Sequence, residues 1–342
     1  MAAIINVRSA KHIPFTNALQ ASVTLTIRIW TGIETSPPTE SDYVISKKAV
    51  NVGDTVVFEV SELIRDYIET SFDGNYSSTP VWASFGLQSF NASGGLITGY
   101  GFTNLCLDGY DYFEQSSTSQ DATMITNRKL FVLKDNSLKI PINTASSPTV
   151  RYYVNNQLVS TITYLSSNDS ADQVEYISIL NNNKITITSL GNTETIDIDI
   201  LEECKYEPKK ITFINKFGAL QDVIFFKKAV EKMNVNKESY KSNILSGSTY
   251  DRSNHVYTDF NVVGKESVTL SSGFLSEEYN EVFKQMMLSE RVWITNINDN
   301  GEQVLPINVK TSNITYKTSL NDKLVEYTFD FDKSYDTINN IR

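Results

Sequence analysis

The sequence predicts a mainly β protein: multi-domain β-sandwiches, followed by a C-terminal α+β domain in which a sheet packs against one helix. At 342 residues the chain is long enough for two or three domains. Apolar residues make up 40% of the chain and aromatic residues 11%, which is enough to build packed cores. Short segments rich in β-branched and aromatic residues alternate with turn-forming clusters, as in all-β domains.

The N-terminal region, residues 1–114, is predicted to be a β-sandwich with one short helix. In Ser22–Trp30, apolar and polar residues alternate strictly, which indicates a half-buried strand. Further strands are predicted at Tyr43–Ile45, Thr55–Val60, Val81–Phe90 and Leu96–Phe102. Ser61 can cap the short helix. The apolar face of this helix would consist of Leu63, Ile64, Tyr67 and Ile68.

A second β region is predicted over residues 122–205. It follows the polar run Glu114–Asp121, which has nothing to bury and is typical of a domain boundary. Asn155-Asn156 and Gly191-Asn192 each separate two strand-like segments, a pattern that favours hairpins. The expected strands are Arg151–Val154, Leu158–Tyr164, Lys184–Ser189 and Glu194–Ile200. This region is therefore predicted to be a small β-sandwich-like domain.

The C-terminal region, residues 206–342, is predicted to be the α+β domain. Its clearest helix spans Ser276–Glu290, with Ser276 as the cap. The apolar stripe of this helix consists of Tyr279, Val282, Phe283, Met286 and Met287. We expect the stripe to pack on the C-terminal sheet. The strands of that sheet are predicted at Ile211–Ile214, Val223–Phe226, Val292–Ile297, Gln303–Val309, Asn313–Lys317 and Leu324–Phe331.

Composition argues against several classes of protein. A net charge of −10 opposes binding to nucleic acid and to anionic membranes. The sequence has no apolar run long enough to span a membrane and no N-terminal secretory signal, so we expect a soluble protein made in a cytoplasm. Cys106 and Cys204 lack partners at metal-ligand spacing and are expected to be small buried hydrophobic residues.

The sequence predicts no catalytic residues, no metal, no cofactor and no enzymatic activity. His12 and His255 are its two histidines, and neither accompanies a nucleophile motif. Asn296–Gly301 resembles the opening of a calcium loop, but the twelfth position is Ile307 in place of glutamate. Asp330 and Asp332 share one strand face, where a solvated surface is a simpler interpretation than a cation site.

A locally basic segment runs from Lys209 to Lys241. It holds eight lysines against three acidic residues, a balance of +5 in a chain of net charge −10. The segment is either a solvated face between buried positions or a surface complementary to an acidic neighbour. The candidate assembly interface consists of Lys209, Lys210, Lys216, Phe217, Ile224, Phe226, Lys227, Lys228 and Lys232.

Several blocks of the sequence resemble virion structural proteins of tailed bacteriophages, especially tail and baseplate-like proteins of phages that infect Bacteroidetes. The C-terminal blocks are Cys204–Lys241, Leu270–Ile294 and Tyr316–Arg342. The N-terminal alternating strand, its Pro-Pro loop and Val56–Ile68 ("VVFEVSELIRDYI") are similar to the same group. The middle of the chain lies outside the resemblance.

This resemblance implies a non-enzymatic structural component that forms a ring in the tail, baseplate or neck. Its implied partners are other copies of itself and neighbouring phage tail or connector proteins, with no membrane and no specific nucleic acid. Its implied location is the virion, after synthesis in the cytoplasm of the host bacterium.

Two other functions remain open. Trp30, Trp82 and Trp293 could form a platform for sugars in a carbohydrate-binding adhesion module, at a tail tip or on a bacterial surface. Core packing is the more economical explanation, because each tryptophan lies in or at the end of an alternating strand. A glycan-cleaving enzyme is the third hypothesis, since the separation of a carboxylate pair depends on the fold.

Overall fold

The computed structural model describes residues 3–77, 80–111, 122–165, 174–203, 205–243, 245–246, 248–296, 303–315 and 324–337. The chain folds into two compact units, each built from segments that are distant in sequence. Unit 1 comprises Met1–Glu202, Thr212–Val223 and Glu278–Ser289, and unit 2 comprises Glu203–Ile211, Ile224–Glu277 and Glu290–Arg342. The mainly β fold class is confirmed. The three domains expected from the sequence stay a prediction.

The first part of unit 1 contains a mixed five-stranded sheet. Its elements are β1 (Ala3–Asn6), β2 (His12–Phe15), β3 (Ser22–Thr31), β4 (Tyr43–Lys48), β5 (Val56–Glu59), α1 (Ser61–Arg65), β6 (Val81–Phe90) and β7 (Leu96–Leu107). The strand order is β1-β7-β6-β3-β4, and β2 pairs separately with β5. β1 runs parallel to β7, whereas β3 is antiparallel to both of its neighbours.

Alternation in β3 positions the core of this sheet. Val23, Leu25 and Ile27 are fully buried on one face, so the predicted half-buried strand is confirmed. They belong to a hydrophobic cluster that also includes Phe58 and Phe85.

The cap predicted for the short helix was wrong. Val60 occupies the N-cap position of α1 and makes no side-chain capping bond. Ser61 lies inside the helix, where its hydroxyl contacts the Glu59 carboxylate and accepts a hydrogen bond from the Lys11 amide at 3.3 Å. A nearby carboxylate therefore competes successfully for the hydroxyl that would have capped the helix.

The second part of unit 1 is a further set of strands. Its elements are β8 (Lys129–Leu133), β9 (Leu138–Asn143), a 3-10 helix (Thr144–Ser146), β10 (Thr149–Val154), β11 (Gln157–Thr163), β12 (Val174–Ile179), β13 (Lys184–Ser189) and β14 (Asn192–Leu201). One sheet has the order β11-β10-β13-β14-β8, and β12 pairs with β9. The predicted boundary Glu114–Asp121 lies outside the described residues.

Both predicted hairpins of this region are present, but one turn is displaced. Asn155 and Asn156 have φ of 49° and 63°, the left-handed conformation that a two-residue turn requires. The second turn uses Leu190 and Gly191, with φ of 49° and 85°, so Asn192 is already the first residue of β14.

The C-terminal half of the chain contributes a further sheet. Its elements are β15 (Lys209–Ile214), β16 (Leu220–Phe225), β17 (Ala229–Lys241), β18 (Leu245–Ser246), β19 (Thr249–Tyr250), β20 (Tyr257–Ser271), β21 (Leu275–Ser276), α2 (Tyr279–Leu288), β22 (Val292–Asn296), β23 (Val304–Val309), β24 (Leu324–Val325) and β25 (Thr328–Lys333). Within unit 2 the strand order is β22-β23-β25-β20-β17. β15 and β16 each contain residues assigned to both units.

Helix α2 belongs to unit 1 and is shorter than predicted. Ser276 lies in β21 and does not cap it, and Glu278 occupies the N-cap position without a side-chain capping bond to the helix. The stripe residues Tyr279, Val282, Phe283 and Met286 are buried, whereas Met287 is half-buried. Within unit 1 the Tyr279 ring contacts Phe131 of β8 at 5.7 Å, a contact that the sequence did not predict.

Two strand predictions near the C-terminus require correction. Residues 313–315 form no strand, and the rest of the predicted segment Asn313–Lys317 lies outside the described residues. The predicted strand Leu324–Phe331 is two strands, β24 and β25, with a break at Glu326 and Tyr327. Tyr327 is buried at this break, and its amide donates to the Ser272 hydroxyl at 3.0 Å.

Candidate assembly surface

Four residues of the predicted interface are buried. Lys209 and Lys210 are buried in β15, with 9% and 7% of their surface exposed. The Lys209 ammonium donates to the Asn296 side-chain oxygen at 2.9 Å, so part of the local positive charge is used inside unit 2. Ile224 and Phe226 are also buried, which leaves these four residues little surface for a partner.

Lys216 and Phe217 belong to the turn between β15 and β16 and are half-buried. The buried side chain of Asn215 holds this turn, because its oxygen accepts hydrogen bonds from the amides of Phe217 and Ala219 at 3.0 and 3.2 Å. Gly218 has φ of +78°, and a Cβ there would lie 2.8 Å from the amide nitrogens of Asp108 and Gly109. The turn is thus fixed by packing within unit 1.

The remaining lysines differ in their surroundings. Lys227 lies 2.8 Å from the Glu203 carboxylate, and this hydrogen bond holds the pKa of Glu203 below its usual value. Lys228 and Lys232 are exposed. Among the lysines of the predicted interface, Lys228 and Lys232 therefore have the most accessible charge.

An exposed β-hairpin, which we call the arm, extends unit 2 beyond its sheet. β20 pairs with β25 over Ser267–Ser271, whereas its preceding residues Tyr257–Glu266 pair with Met233–Lys241 of β17. In the described part of the chain, no third strand flanks these two segments. Nine residues of extended chain correspond to about 30 Å.

The arm carries apolar side chains on a solvated ribbon. Met233, Val235, Tyr240 and Tyr257 are each about half exposed or more, at 52%, 51%, 52% and 66%. Tyr240 packs edge-to-face on Phe260 at 5.7 Å, and Lys237 pairs with Asp259 at 2.6 Å. Lys237 and Asp259 therefore neutralise each other within the arm, while its apolar side chains remain exposed to solvent.

The sequence patterns do not predict the arm. Lys209–Lys241 stands out by its charge, and neither Ala229–Lys241 nor Tyr257–Ser271 is predicted to be a strand. The available signal was the recurrence of β-branched and aromatic residues in "YTDFNVVGKESVTLS". Asn261, with φ of 50°, interrupts the regular alternation there.

A cleft of about 270 Å³ opens in unit 2 near the base of the arm. Val268, Ile294 and Ile307 contribute apolar surface to its lining. Lys333 and Glu266 also line it and form an ion pair with each other. Its chemistry is therefore that of an apolar cleft with a charged rim.

The histidines and the carboxylates singled out in the sequence do not form a metal or catalytic cluster among the described residues. His12 and His255 are exposed, and in the described ranges no cluster of three or more His, Cys, Asp or Glu side chains could hold a metal ion. Thr269 donates to Asp330, and Lys310 pairs with Asp332 at 3.3 Å, so both carboxylates already have partners. Of the calcium-like stretch, Asn296 alone is described.

The tryptophans do not present a common sugar platform. Trp82 and Trp293 are buried, as expected for core positions, and Trp30 is half-buried. Cys106 is buried as expected, and burial raises the pKa of its thiol. Cys204 lies outside the described residues.

Comparisons with known proteins leave the chain without an assigned family. No protein-family model matches it, and no curated protein sequence matches it. Over the residues that the structure describes, none of the helices has the length and apolar character needed to cross a membrane.

Proposed function

We propose that the chain is a structural subunit of a tailed-phage virion. In this proposal it forms a ring in the tail, baseplate or neck, through contacts with its own copies and with neighbouring phage proteins, and it catalyses no reaction. The arm is the single observation that carries a role in assembly. The phage setting is supported by the resemblance of the sequence blocks at both ends of the chain.

The arm needs a partner on physical grounds. A two-stranded ribbon is marginally stable in water, and this ribbon exposes Met233, Val235 and Tyr240 along β17. Complete burial of one such side chain contributes about 1.5–3 kcal/mol to the free energy of association. A neighbouring copy can supply that burial to every arm in turn, because a head-to-tail contact repeated around a closed ring leaves no arm without a partner.

The charges near the arm do not oppose this contact. Lys237 is neutralised by Asp259 within the arm, and Lys228 and Lys232 remain exposed toward the base of β17. Because the whole chain has a net charge of −10, two copies repel each other at long range. Exposed lysines beside the arm can offset this repulsion and orient the approach of an acidic neighbour.

The proposal is tested by native mass spectrometry and electron microscopy of the purified chain. We expect closed rings for the natural sequence and their loss in a Val235→Glu, Tyr240→Glu double variant with unchanged circular dichroism. A matched control, Leu19→Glu with Leu96→Glu, changes two exposed apolar residues of unit 1 and should still form rings. A natural chain that stays monomeric at high concentration would overturn the ring.

Location in the virion needs its own test. Antibodies raised against the chain should label tails or necks of phage particles in immunogold micrographs of infected cells. Labelling of the bacterial surface alone, together with glycan-array binding by the isolated subunit, would favour the adhesion module instead.

A further inference from the structure

Among the strands that the structure describes, β11 is an exposed sheet edge. It forms one end of the sheet β11-β10-β13-β14-β8, and all seven residues of Gln157–Thr163 are exposed. Val159 and Ile162 are 64% and 42% exposed, and Leu165, just after the strand, is 76% exposed. Unpaired backbone groups beside apolar side chains are the features that allow a strand of another chain to add to a sheet.

This edge lacks the charges that protect other exposed edges of the same chain. β17 carries Lys232, Lys237 and Lys241, and β4 ends in Lys47 and Lys48. From Tyr152 to Asn168, by contrast, 17 consecutive residues carry no charged side chain. The register with β10 shifts near the turn, opposite Tyr152 and Tyr153, but it is regular from Ser160 to Thr163. The unshifted part of β11 is therefore open to pairing.

We infer that β11 pairs with β11 of a second copy, antiparallel and across a two-fold axis at Ile162. In this register Ile162 faces its counterpart and Thr161 faces Thr163 of the other copy. Apolar side chains therefore meet at the axis, and hydroxyl groups meet hydroxyl groups beside it. A two-fold contact requires such a self-complementary surface.

The charge of the chain also favours a second copy as the occupant. Two copies of a chain with net charge −10 repel each other, and they can approach most closely where neither presents charge. The uncharged β11 edge meets this condition on both sides of the contact at once. The inference does not depend on the ring, because it concerns another strand and another symmetry.

The expected association is reversible. Pairing along so short a strand should bury less than the roughly 1,200 Å² at the lower end of stable interfaces. Dimers should therefore form as the concentration rises and separate again on dilution.

Sedimentation over a concentration series tests the contact in the arm variant Val235→Glu, Tyr240→Glu, which retains β11 but lacks the ring contact that would obscure the dimer. Ile162→Lys places two lysines opposite each other, so it should weaken dimerisation by about tenfold or more. Val44→Lys, on the edge strand β4 where 62% of the Val44 surface is exposed, is the control and should dimerise normally. A monomer at every concentration, or equal dimerisation with and without Ile162→Lys, would overturn the inference.

Cysteine cross-linking tests the register. Ile162→Cys should form an intermolecular disulfide on mild oxidation, beyond any background of the natural chain. Val159→Cys should not form this disulfide. Position 159 lies three residues from the axis on each strand, in opposite directions, so its two copies are about 20 Å apart. Equal cross-linking at both positions, or binding of a foreign strand without self-association, would refute this pairing. Arm variants that lose the ring retain β11. A failure of the ring contact can therefore be distinguished from a failure of the β11 contact.

Discussion

The hydroxyl oxygen of Tyr76 lies 2.8 and 2.7 Å from the two carboxylate oxygens of Asp222. Asp222 is 5% exposed, and Thr212 donates a second hydroxyl hydrogen bond to it at 2.7 Å. A buried carboxylate requires such donors, because hydroxyl groups replace the water it loses. The contact therefore fixes the segment around Tyr76 to strand β16 within unit 1.

Removal of the Tyr76 hydroxyl should destabilise the protein. We expect Tyr76→Phe to lower the free energy of unfolding by about 1.5–3 kcal/mol, since a hydrogen bond to a buried charged group is lost. Chemical denaturation measures the change. Tyr67→Phe is the control, because its hydroxyl lies 3.4 Å from Asp42 at an exposed site. Equal stability of the two variants would contradict this role of Tyr76.

Phe283 is the fully buried aromatic residue of helix α2. Its replacement by alanine should cost about 3–5 kcal/mol, from the lost apolar contacts and the cavity that remains. Leu288→Ala, at a position 47% exposed in the same helix, should change stability far less. The melting temperatures of the two variants test the difference, and an unchanged value for Phe283→Ala would reject this packing.

Local patterns predicted much of the fold. Alternation identified β3, and two-residue turn signals identified the hairpin at Asn155 and Asn156, because both patterns depend on residues close in sequence. The stripe of α2 was predicted for the same reason. Its contact with Phe131 was not, because Phe131 is 148 residues from Tyr279 and sequence periodicity does not specify which surface a stripe covers.

The candidate site was less predictable than the fold. Lysines in a basic segment were expected at the surface, yet Lys209 and Lys210 are buried in β15, whose six residues are all buried. Their long aliphatic stems allow a lysine to be largely covered while its ammonium reaches an acceptor such as Asn296. The arm was missed because its strands have mixed polarity and little burial, so they lack the alternation that marks a half-buried strand.

The ion pair between Lys333 and Glu266 at the cleft should make the stability of the protein depend on pH. The hydrogen bond from Lys333, with a second from Thr337, lowers the pKa of Glu266 below its ordinary value of 4.5. A lowered carboxylate pKa in the folded state stabilises the protein above the unfolded pKa, and this contribution is lost as the pH falls through the folded pKa. NMR titration of the Glu266 carboxyl carbon should show the shift. Lys333→Met should raise this pKa, whereas Lys310→Met, which removes a partner of Asp332, should leave it unchanged.

Substitutions of the adjacent residues Lys227 and Lys228 should distinguish an effect on assembly from an effect on stability. Lys228 is exposed, so Lys228→Glu should preserve the melting temperature but slow ring assembly, by removing a positive charge that steers an acidic neighbour. The effect should be largest at low salt and should fade as the ionic strength rises, because salt screens exposed charges. Lys227→Glu should also lower the melting temperature, because it places a second carboxylate beside Glu203. Light scattering during assembly at several salt concentrations, together with thermal melting, measures both effects. If Lys228→Glu assembles at the natural rate in low salt, this lysine belongs to a solvated face and does not steer assembly.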